Sequence, residues 1–294
     1  MTAAEALRCA TKHFVALQTL ETANPRLEAE LLLQHTLGFD RTQLYQHLHD
    51  EMPPDKEAAY HELVWQRLCG EPTPYIIGRA AFYDIELTVA PAAAIPRPET
   101  ELLVEEALAL ARRYLRATGR ATIVDVGTGC GAIALALATH LPAAQIIATD
   151  ISPAALALAQ GNAERLGLAS SVRFLCGDLL APLEQPVDIV VANLPYVRSA
   201  EWESLPVEIR CHEPREALDG GPDGLRAIER LLRQAPAHLC PDAALLLEMG
   251  YDQGPAVVAL ASEVFPEAAI VVKKDLASLD RVVVIQLQRP ANAP

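Results

Sequence analysis

The sequence predicts an α/β protein: a doubly wound sheet of seven strands with a terminal antiparallel hairpin, preceded by a small all-helical domain. Three observations carry this. After Gly119, apolar β-rich runs alternate with helical runs, and repeated βα units give a parallel sheet with helices on both faces. The run "EAAIVVKKDLASLDRVVVIQLQ" holds two β-rich stretches joined by a short polar turn, the pattern of a hairpin. Before Pro72 the apolar residues recur only at helical spacing. A chain of 294 residues exceeds one domain of about 150 residues, so two are expected.

The elements follow in order. "MTAAEALRCATKHFVALQTLE" reads as an amphipathic helix rather than the basic-then-apolar profile of a signal peptide, so a cytoplasmic location is expected. "NPRLEAELLLQHTLGF" opens with Asn24 as N-cap and Pro25 in the first helical position. "DRTQLYQHLHDE" and "PPDKEAAYHELVWQRLCGE" repeat the pattern, and Leu31, Leu32, Leu44, Leu48, Leu63 and Trp65 are its expected core. The boundaries drawn are a helical domain over 1–75, a β-hairpin linker over 76–98 around "AAFYDIELTVAP", and the α/β domain over 99–294. Glu99, Thr100 and Glu101 fall in the first turn of the long helix after the linker, where negative charge suits the helix dipole.

The totals exclude several classes. No run of 18 apolar residues occurs, so no membrane partner is expected. The net charge is −14, with −5 on residues 1–78 and −9 on the rest. Both parts repel a phosphate backbone on average, so no direct nucleic-acid partner is expected. The six cysteines are far apart and the eight histidines lack zinc spacing, so no metal site is expected. In a reducing compartment such cysteines read as small buried apolar residues.

Two motifs suit an adenosine-type ligand. In "IVDVGTGCGA", Gly127, Thr128, Gly129, Cys130 and Gly131 lie between a strand and a helix, where open α/β sheets bind ligands. Glycines there let the backbone approach a ligand and leave N–H groups of the helix start free. Gly127, Gly129 and Ala132 also satisfy the dinucleotide pattern G-x-G-x-x-A. Asp150 ends the next strand, 19 residues after Gly131, and a carboxylate there accepts hydrogen bonds from ribose hydroxyls. Ser152 caps the following helix. Asp178, in "FLCGDLL", ends a third strand, where its carboxylate or the loop backbone meets an adenine amino group, with Leu179 against the ring. These sites alone leave a dinucleotide and S-adenosylmethionine both open.

The stretch "DIVVANLPYVRSA" separates them. Its strand stops at Asn193-Leu194-Pro195-Tyr196. Asn193 offers a side-chain oxygen, and Leu194, held extended by Pro195, offers a backbone carbonyl of fixed direction. Tyr196 offers a flat face for a planar group. Together they read as a clamp for an amide-type nitrogen that accepts a methyl group.

The motif resembles that of S-adenosylmethionine-dependent amino-methyltransferases. With "EPTPYIIGRAAFYDIELTVAPAAAIPRPETELLVEEAL", "DVGTGCGAIALALA", "EPREALDGGPDGL" and "LLLEMG", nearly the whole chain resembles the peptide chain release factor glutamine methyltransferases (PrmC/HemK). The resemblance implies a Rossmann-like methyltransferase sheet and a helical N-terminal domain that docks substrate. It implies that Gly127 to Gly131, Asp150, Asp178, Leu179 and Asn193 hold S-adenosylmethionine. Asn193 to Tyr196 would hold the glutamine of the Gly-Gly-Gln motif of class 1 release factors, with Asn193, Pro195 and Tyr196 catalytic. Arg97, Glu99, Thr100 and Glu101 would close over the cofactor, and Glu213, Pro214 and the 220–224 glycine loop would shape the substrate entrance. Leu194 departs from the family's usual Asn-Pro-Pro-Tyr. Asn-Leu-Pro-Tyr is also similar to the motif of ribosomal-RNA adenine dimethylases, so a nucleic-acid adenine methyltransferase with the same clamp is the alternative.

Overall fold

The computed structural model describes residues 1–16 and 24–288. The chain forms two compact units, Met1–Arg79 with Glu203–Glu213, and Ala80–Trp202 with Pro214–Pro294. Against the expected boundaries, the hairpin after residue 79 belongs to the second unit, and a segment distant in sequence joins the first.

The first unit contains α1 (Ala3–Ala16), α2 (Pro25–Leu37), α3 (Arg41–Gln46), α4 (Pro54–Leu68), α5 (Thr73–Ile77) and the short helix Val207–His212. Residues 17–23, part of the helix expected at the N-terminus, lie outside the described residues. Asn24 caps α2 by accepting the Leu27 N–H at 3.1 Å, and Gly38 ends it at φ 70°. Asp40 and Gln43 form a reciprocal capping box at the start of α3, with bonds of 2.7 and 2.9 Å.

Leu7, Phe14, Leu32, Leu33, Leu44, Tyr60 and Val64 form this unit's core. Trp65 does not join it. Residues 60, 64 and 67 face inward at helical spacing, and Trp65, one position around the helix from Val64, is 62% exposed. Arg67 is buried, donating to Glu28 at 2.5 Å and to Glu208. Thr73 adds a hydrogen bond to Glu28 at 3.1 Å. This network fastens the segment 203–213 to α2 and α4.

The second unit holds all but the first residue of the hairpin β1 (Arg79–Phe82) and β2 (Ile85–Thr88), then α6 (Glu101–Thr118) and β3 (Thr122–Val126). Next come α7 (Ala132–His140), β4 (Gln145–Asp150), α8 (Pro153–Arg165), β5 (Val172–Cys176) and β6 (Val187–Ala192). The chain then passes through the short helix named above, α9, before α10 (Arg226–Gln234), β7 (Leu239–Glu248), α11 (Gly254–Val264), β8 (Ala269–Lys274) and β9 (Asp280–Gln286).

The strand order is β5-β4-β3-β6-β7-β9-β8, with β3 to β7 parallel and β9 antiparallel to both neighbours. This is the seven-stranded doubly wound sheet with its terminal hairpin. Because helices cover both faces, the strands read as continuous apolar runs rather than alternating ones, and β6 is buried along nearly its whole length. The order reverses between β3 and β6, which makes a crevice at their C-terminal ends.

The hairpin is tied to the sheet by polar groups. Buried Asn162 of α8 accepts the Thr88 N–H at 2.7 Å and donates to the carbonyls of Thr88 and Cys130, both at 2.9 Å. Glu101 accepts the Tyr83 N–H at 2.9 Å in the β1–β2 turn. Pro98–Thr100 form a 3-10 turn ahead of α6, so Glu99 and Thr100 precede the α-helix proper. Of the cysteines, only Cys130 is buried; Cys69, Cys176 and Cys211 are exposed, because they stand on helix and strand ends that face solvent. Among the described residues, no helix is long and apolar enough to cross a membrane.

Candidate active site

A cleft of about 540 Å³ opens at the β3/β6 crevice, within the range of small-molecule sites. Its floor is the turn after β3. The N–H groups of Gly127 and Thr128 donate to the Thr149 carbonyl at 2.8 and 3.0 Å, and Gly129 N–H donates to the Asp150 carboxylate at 2.9 Å. Gly127 and Gly129 have φ of 73° and 56°, in the left-handed region where glycine alone is unstrained. Gly127, Thr128, Gly129 and Cys130 line the cleft. Gly131 does not. A Cβ there would stand 3.0 Å from Leu135 and 3.1 Å from Ala159, so it serves the close packing of α7 on α8.

Asp125 supports this turn from below. Its Oδ2 accepts from the Thr128 hydroxyl at 2.6 Å and from the Ala134 N–H at 3.1 Å, while Oδ1 is buried without a hydrogen-bond partner among the described residues. Burial pushes its carboxyl up to about 7, against those two hydrogen bonds. Asp150 accepts from Gly129 and, at 2.8 Å, from the Ser152 N–H, and lines the cleft with two of roughly four carboxylate acceptor sites still open. Ser152 also caps α8, accepting the Ala155 N–H at 3.2 Å.

Asp178 and Leu179 line the cleft beyond Asp150. The Asp178 carboxylate is ion-paired with Arg230, a pairing that leaves no mark in the local sequence. Leu179 sits at φ 54°, its carbonyl fixed by the Thr149 hydroxyl at 3.0 Å.

Asn193, Leu194 and Pro195 form the opposite wall. The Asn193 amide donates from Nδ2 to the Thr100 hydroxyl at 3.0 Å, and Asn193 lines the cleft. The Leu194 side chain is buried, and a Cβ on Gly127 would fall 2.9 Å from its Cδ2. Leu194 therefore packs this segment onto the glycine turn.

Tyr196 is not on the cleft wall. Its hydroxyl reaches Glu248 Oε1 at 3.4 Å, and burial, then the Glu248 charge, pushes the phenol up to about 12. Glu248 ends β7 and is 1% exposed. Burial pushes its carboxyl up to about 7, while Thr100, Arg281 and Tyr196 hold it down and Glu99 adds to the rise. The Thr100 hydroxyl lies near enough to favour the charged form, yet Oε2 makes no hydrogen bond among the described residues.

The glycine loop braces the segment after β6 from outside. Val197 and Asp219 bridge in parallel, with Val197 N–H donating to Leu218 at 2.9 Å and Gly220 N–H to Val197 at 2.8 Å. A Cβ on Gly220 would stand 2.5 Å from the Pro195 carbonyl oxygen. Buried Gln253 donates to the Tyr196 carbonyl at 2.9 Å. Arg97, Thr100, Pro214 and Gly220 line the cleft, and Glu99 is exposed outside it. Glu101 holds the hairpin turn instead, since its carboxylate takes the Tyr83 N–H. Among the described residues, no group of three His, Cys, Asp or Glu could hold a metal ion.

Glu248 and Gln253 escape a reading of the sequence for motifs. The one signal for Glu248 is a carboxylate closing the apolar run "AALLL", at a strand end that the fold turns toward the crevice.

Residues 5–78 match the family model for the PrmC N-terminal domain, and residues 123–212 match a methyltransferase domain. The chain is 45% identical over 258 residues to the release factor glutamine methyltransferase of Moorella thermoacetica, covering 87% of this chain and 89% of that one. It is 40% identical over 287 residues to the one from Cereibacter sphaeroides, covering 98% and 99%. The solved release factor-specific protein-(glutamine-N5) methyltransferase of Alicyclobacillus acidocaldarius is 28% identical, with a TM-score of 0.43 over 69% of this chain and 99% of that one.

Proposed function

The chain belongs to the release factor glutamine methyltransferase family, and from that membership we propose its reaction and the residues that perform it. It methylates the side-chain amide nitrogen of the glutamine in the Gly-Gly-Gln motif of class 1 peptide chain release factors, with S-adenosylmethionine as methyl donor. The observation that carries the assignment of the site is the Asn193 amide. Its nitrogen is engaged by Thr100, so its oxygen is the acceptor left at a cleft shared with the glycine turn.

The residues present suit S-adenosylmethionine. Gly127 and Gly129 let a ligand approach the backbone, as a Cβ would not. Asp150 retains acceptor capacity for ribose hydroxyls. Leu179 and the backbone of its turn fall to the adenine, since the Asp178 carboxylate already faces Arg230. When bound, the cofactor supplies a sulfonium methyl: the new N–C bond forms as the S–C bond breaks, and that electron pair stays on sulfur.

Asn193 Oδ1 and the Leu194 carbonyl accept the hydrogens of the glutamine nitrogen and so direct its lone pair. An amide nitrogen is a weak nucleophile, because its lone pair is delocalised into the carbonyl. Alignment of this kind supplies roughly 7–11 kcal/mol in well-oriented systems. The same two oxygens stabilise the positive charge that grows on nitrogen. The surplus proton then leaves to water, so no strong base is needed. Pro195 keeps Leu194 extended, and Tyr196 supports the clamp through its hydroxyl. The helical unit is the proposed docking surface for the release factor.

Labelled S-adenosylmethionine, incubated with the protein and either a release factor or ribosomal RNA, tests this. Label on the release factor is expected, and label on RNA alone would replace this reading with the adenine one. Asn193→Ala should lower the methylation rate about 10²–10³-fold, the usual cost of one charge-stabilising partner. Its S-adenosylhomocysteine affinity should hardly change.

A further inference from the structure

Behind the segment after β6 stands a buried amide that the proposed methyl transfer does not use. Gln253 is 3% exposed and sits at the start of α11. Its Nε2 donates to the Tyr196 carbonyl at 2.9 Å and, over a longer 3.4 Å, to the Asp223 carbonyl. Its Oε1 accepts the Gly250 N–H at 2.8 Å. One side chain thus joins the segment after β6, the glycine loop and the turn after β7. Two carbonyls face one end of the amide and an N–H faces the other, so its partners fix its orientation.

The base of this side chain is itself anchored. The Gln253 N–H donates to the Gly250 carbonyl at 2.9 Å, and its own carbonyl accepts from the Ala256 and Val257 N–H groups, both at 3.0 Å. Val257 and Ala261, farther along α11, are fully buried in the core. Two glycines make room for the amide. A Cβ on Gly224, at φ 77°, would overlap both the Tyr196 oxygen and Gln253 Nε2, and one on Gly250 would stand 3.0 Å from Oε1.

Tyr196 lies two residues past Leu194, and the ring of Pro195 restricts the residue between them. Peptide planes leave two soft dihedrals per residue, so holding the Tyr196 peptide narrows the directions open to the Leu194 carbonyl. We infer that Gln253 is a positioning residue for methyl transfer: by tying the Tyr196 carbonyl to the glycine loop and to the turn after β7, it sets the direction of the Leu194 carbonyl. The inference rests on the reading of that carbonyl as an acceptor for the substrate nitrogen.

Gln253→Glu separates the tie from the shape. The variant keeps the length and an acceptor for Gly250, but sets an oxygen where Nε2 stood. Ionised, that oxygen meets two carbonyls, acceptor against acceptor, and the tie is lost. Protonated, its O–H donates to Tyr196 and the tie returns. The charged groups around it are Asp223, which accepts the Leu225 N–H at 3.0 Å, Asp252, paired with Arg198 at 2.8 Å, and Asp280 of β9, paired with Lys274 at 2.8 Å. Glu248 of β7 meets the Tyr196 hydroxyl at 3.4 Å. Burial and the acids among these raise the titration of an introduced carboxyl, which brings it within an assay run from about pH 5 to about pH 9.

Tyrosine is followed by valine at one place in the sequence, Tyr196–Val197. Carbonyl-¹³C tyrosine with ¹⁵N-valine therefore gives one cross-peak that reports the Tyr196 carbonyl directly. In full-length Gln253→Glu this peak should leave the parent's position as the carboxyl ionises and rejoin it at low pH. Single-turnover methylation of a release factor, as the ratio of variant to parent, should follow the same curve. It should stand near one at low pH and fall about tenfold on ionisation, the cost of about half an ångström where about 1 Å costs roughly 10²-fold. Gln253→Met, with length but no donor, should be about tenfold slow at every pH with its cross-peak displaced throughout, and it carries the test should Gln253→Glu fail to fold. S-adenosylhomocysteine affinity within about twofold of the parent marks a folded variant, and the loss should fall on kcat more than on the KM for release factor. A ratio that stays at one while the cross-peak moves, a cross-peak unmoved in both variants, or a loss confined to KM would overturn the inference. If the parent labels ribosomal RNA in place of release factor, the same curve on RNA would uphold the role of Gln253 and remove the substrate assignment. Labelling of neither acceptor would overturn both.

Discussion

Gly220→Ala tests how tightly the outer loop holds the proposed clamp. A Cβ at this position would lie 2.5 Å from the Pro195 carbonyl oxygen and 2.5 Å from that of Gly224, about 0.9 Å short of the 3.4 Å at which ordinary contact begins. Both neighbours are backbone, so neither can swing aside as a side chain does. The strain must move the Pro195 peptide, the loop, or both, and overpacking of this kind costs about 1–3 kcal/mol. If half the shortfall falls on the clamp, Asn193 and Leu194 shift by about 0.5 Å relative to the glycine turn. Misplacement of reacting groups by about 1 Å costs roughly 10²-fold, so about 10-fold is expected in methylation rate. The assay is single-turnover methylation of a release factor, beside calorimetric binding of S-adenosylhomocysteine, which should be unaffected because the glycine turn is untouched. Gly161→Ala is the control: it lies in α8, where an added methyl group would meet nothing within 4 Å, and should stabilise the protein by about 0.5–1 kcal/mol without loss of rate. A Gly220→Ala protein with unchanged rate would show that the loop does not determine clamp position.

Three further outcomes follow from named groups. Glu248 has its carboxyl raised from 4.5 to about 7 by burial, so the native state binds its proton more tightly than the unfolded chain. That contribution to stability is complete below the unfolded value and is lost as pH rises through about 7. Glu248→Gln should therefore gain on the parent between pH 5 and pH 8 by up to about 3 kcal/mol, read from denaturant midpoints. Arg67→Ala strands Glu28 and Glu208 in the helical unit, and should destabilise it by about 3–5 kcal/mol in urea unfolding followed by circular dichroism. Asp150→Ala removes the acceptor at the end of β4 and the partner of Gly129 N–H. It should weaken S-adenosylhomocysteine binding about 10-fold or more by calorimetry, at about 1.4 kcal/mol per hydrogen bond lost.

The fold was legible where the chain repeats itself. Alternating βα texture and the closing hairpin pattern foretold the sheet of β3 to β9, because parallel strands buried on both faces leave long apolar runs between helical ones. The glycine turn and Asn193 to Pro195 stand out in the sequence for a different reason, since their residue types suit few other backbone roles at a strand end, and the structure brings them to one cleft. What escaped was set by partners distant in sequence. Trp65 looks like core until Tyr60 and Val64 define the inward face of α4. Asp178 offers a carboxylate until Arg230, 52 residues on, takes it. Tyr196 reads as an exposed stacking face until Glu248, at the end of the neighbouring strand β7, receives its hydroxyl. Segment 203–213 shows no sign in sequence of joining the helices, since Glu208 gains its meaning only from buried Arg67.

The most direct measurement is mass-spectrometric mapping of the methyl group on a class 1 release factor after incubation with the protein and S-adenosylmethionine. One added methyl on the side-chain nitrogen of the glutamine in Gly-Gly-Gln is expected, and its absence with Asn193→Ala. A methyl found on another residue, or an equal yield from Asn193→Ala, would contradict the assignment of the clamp.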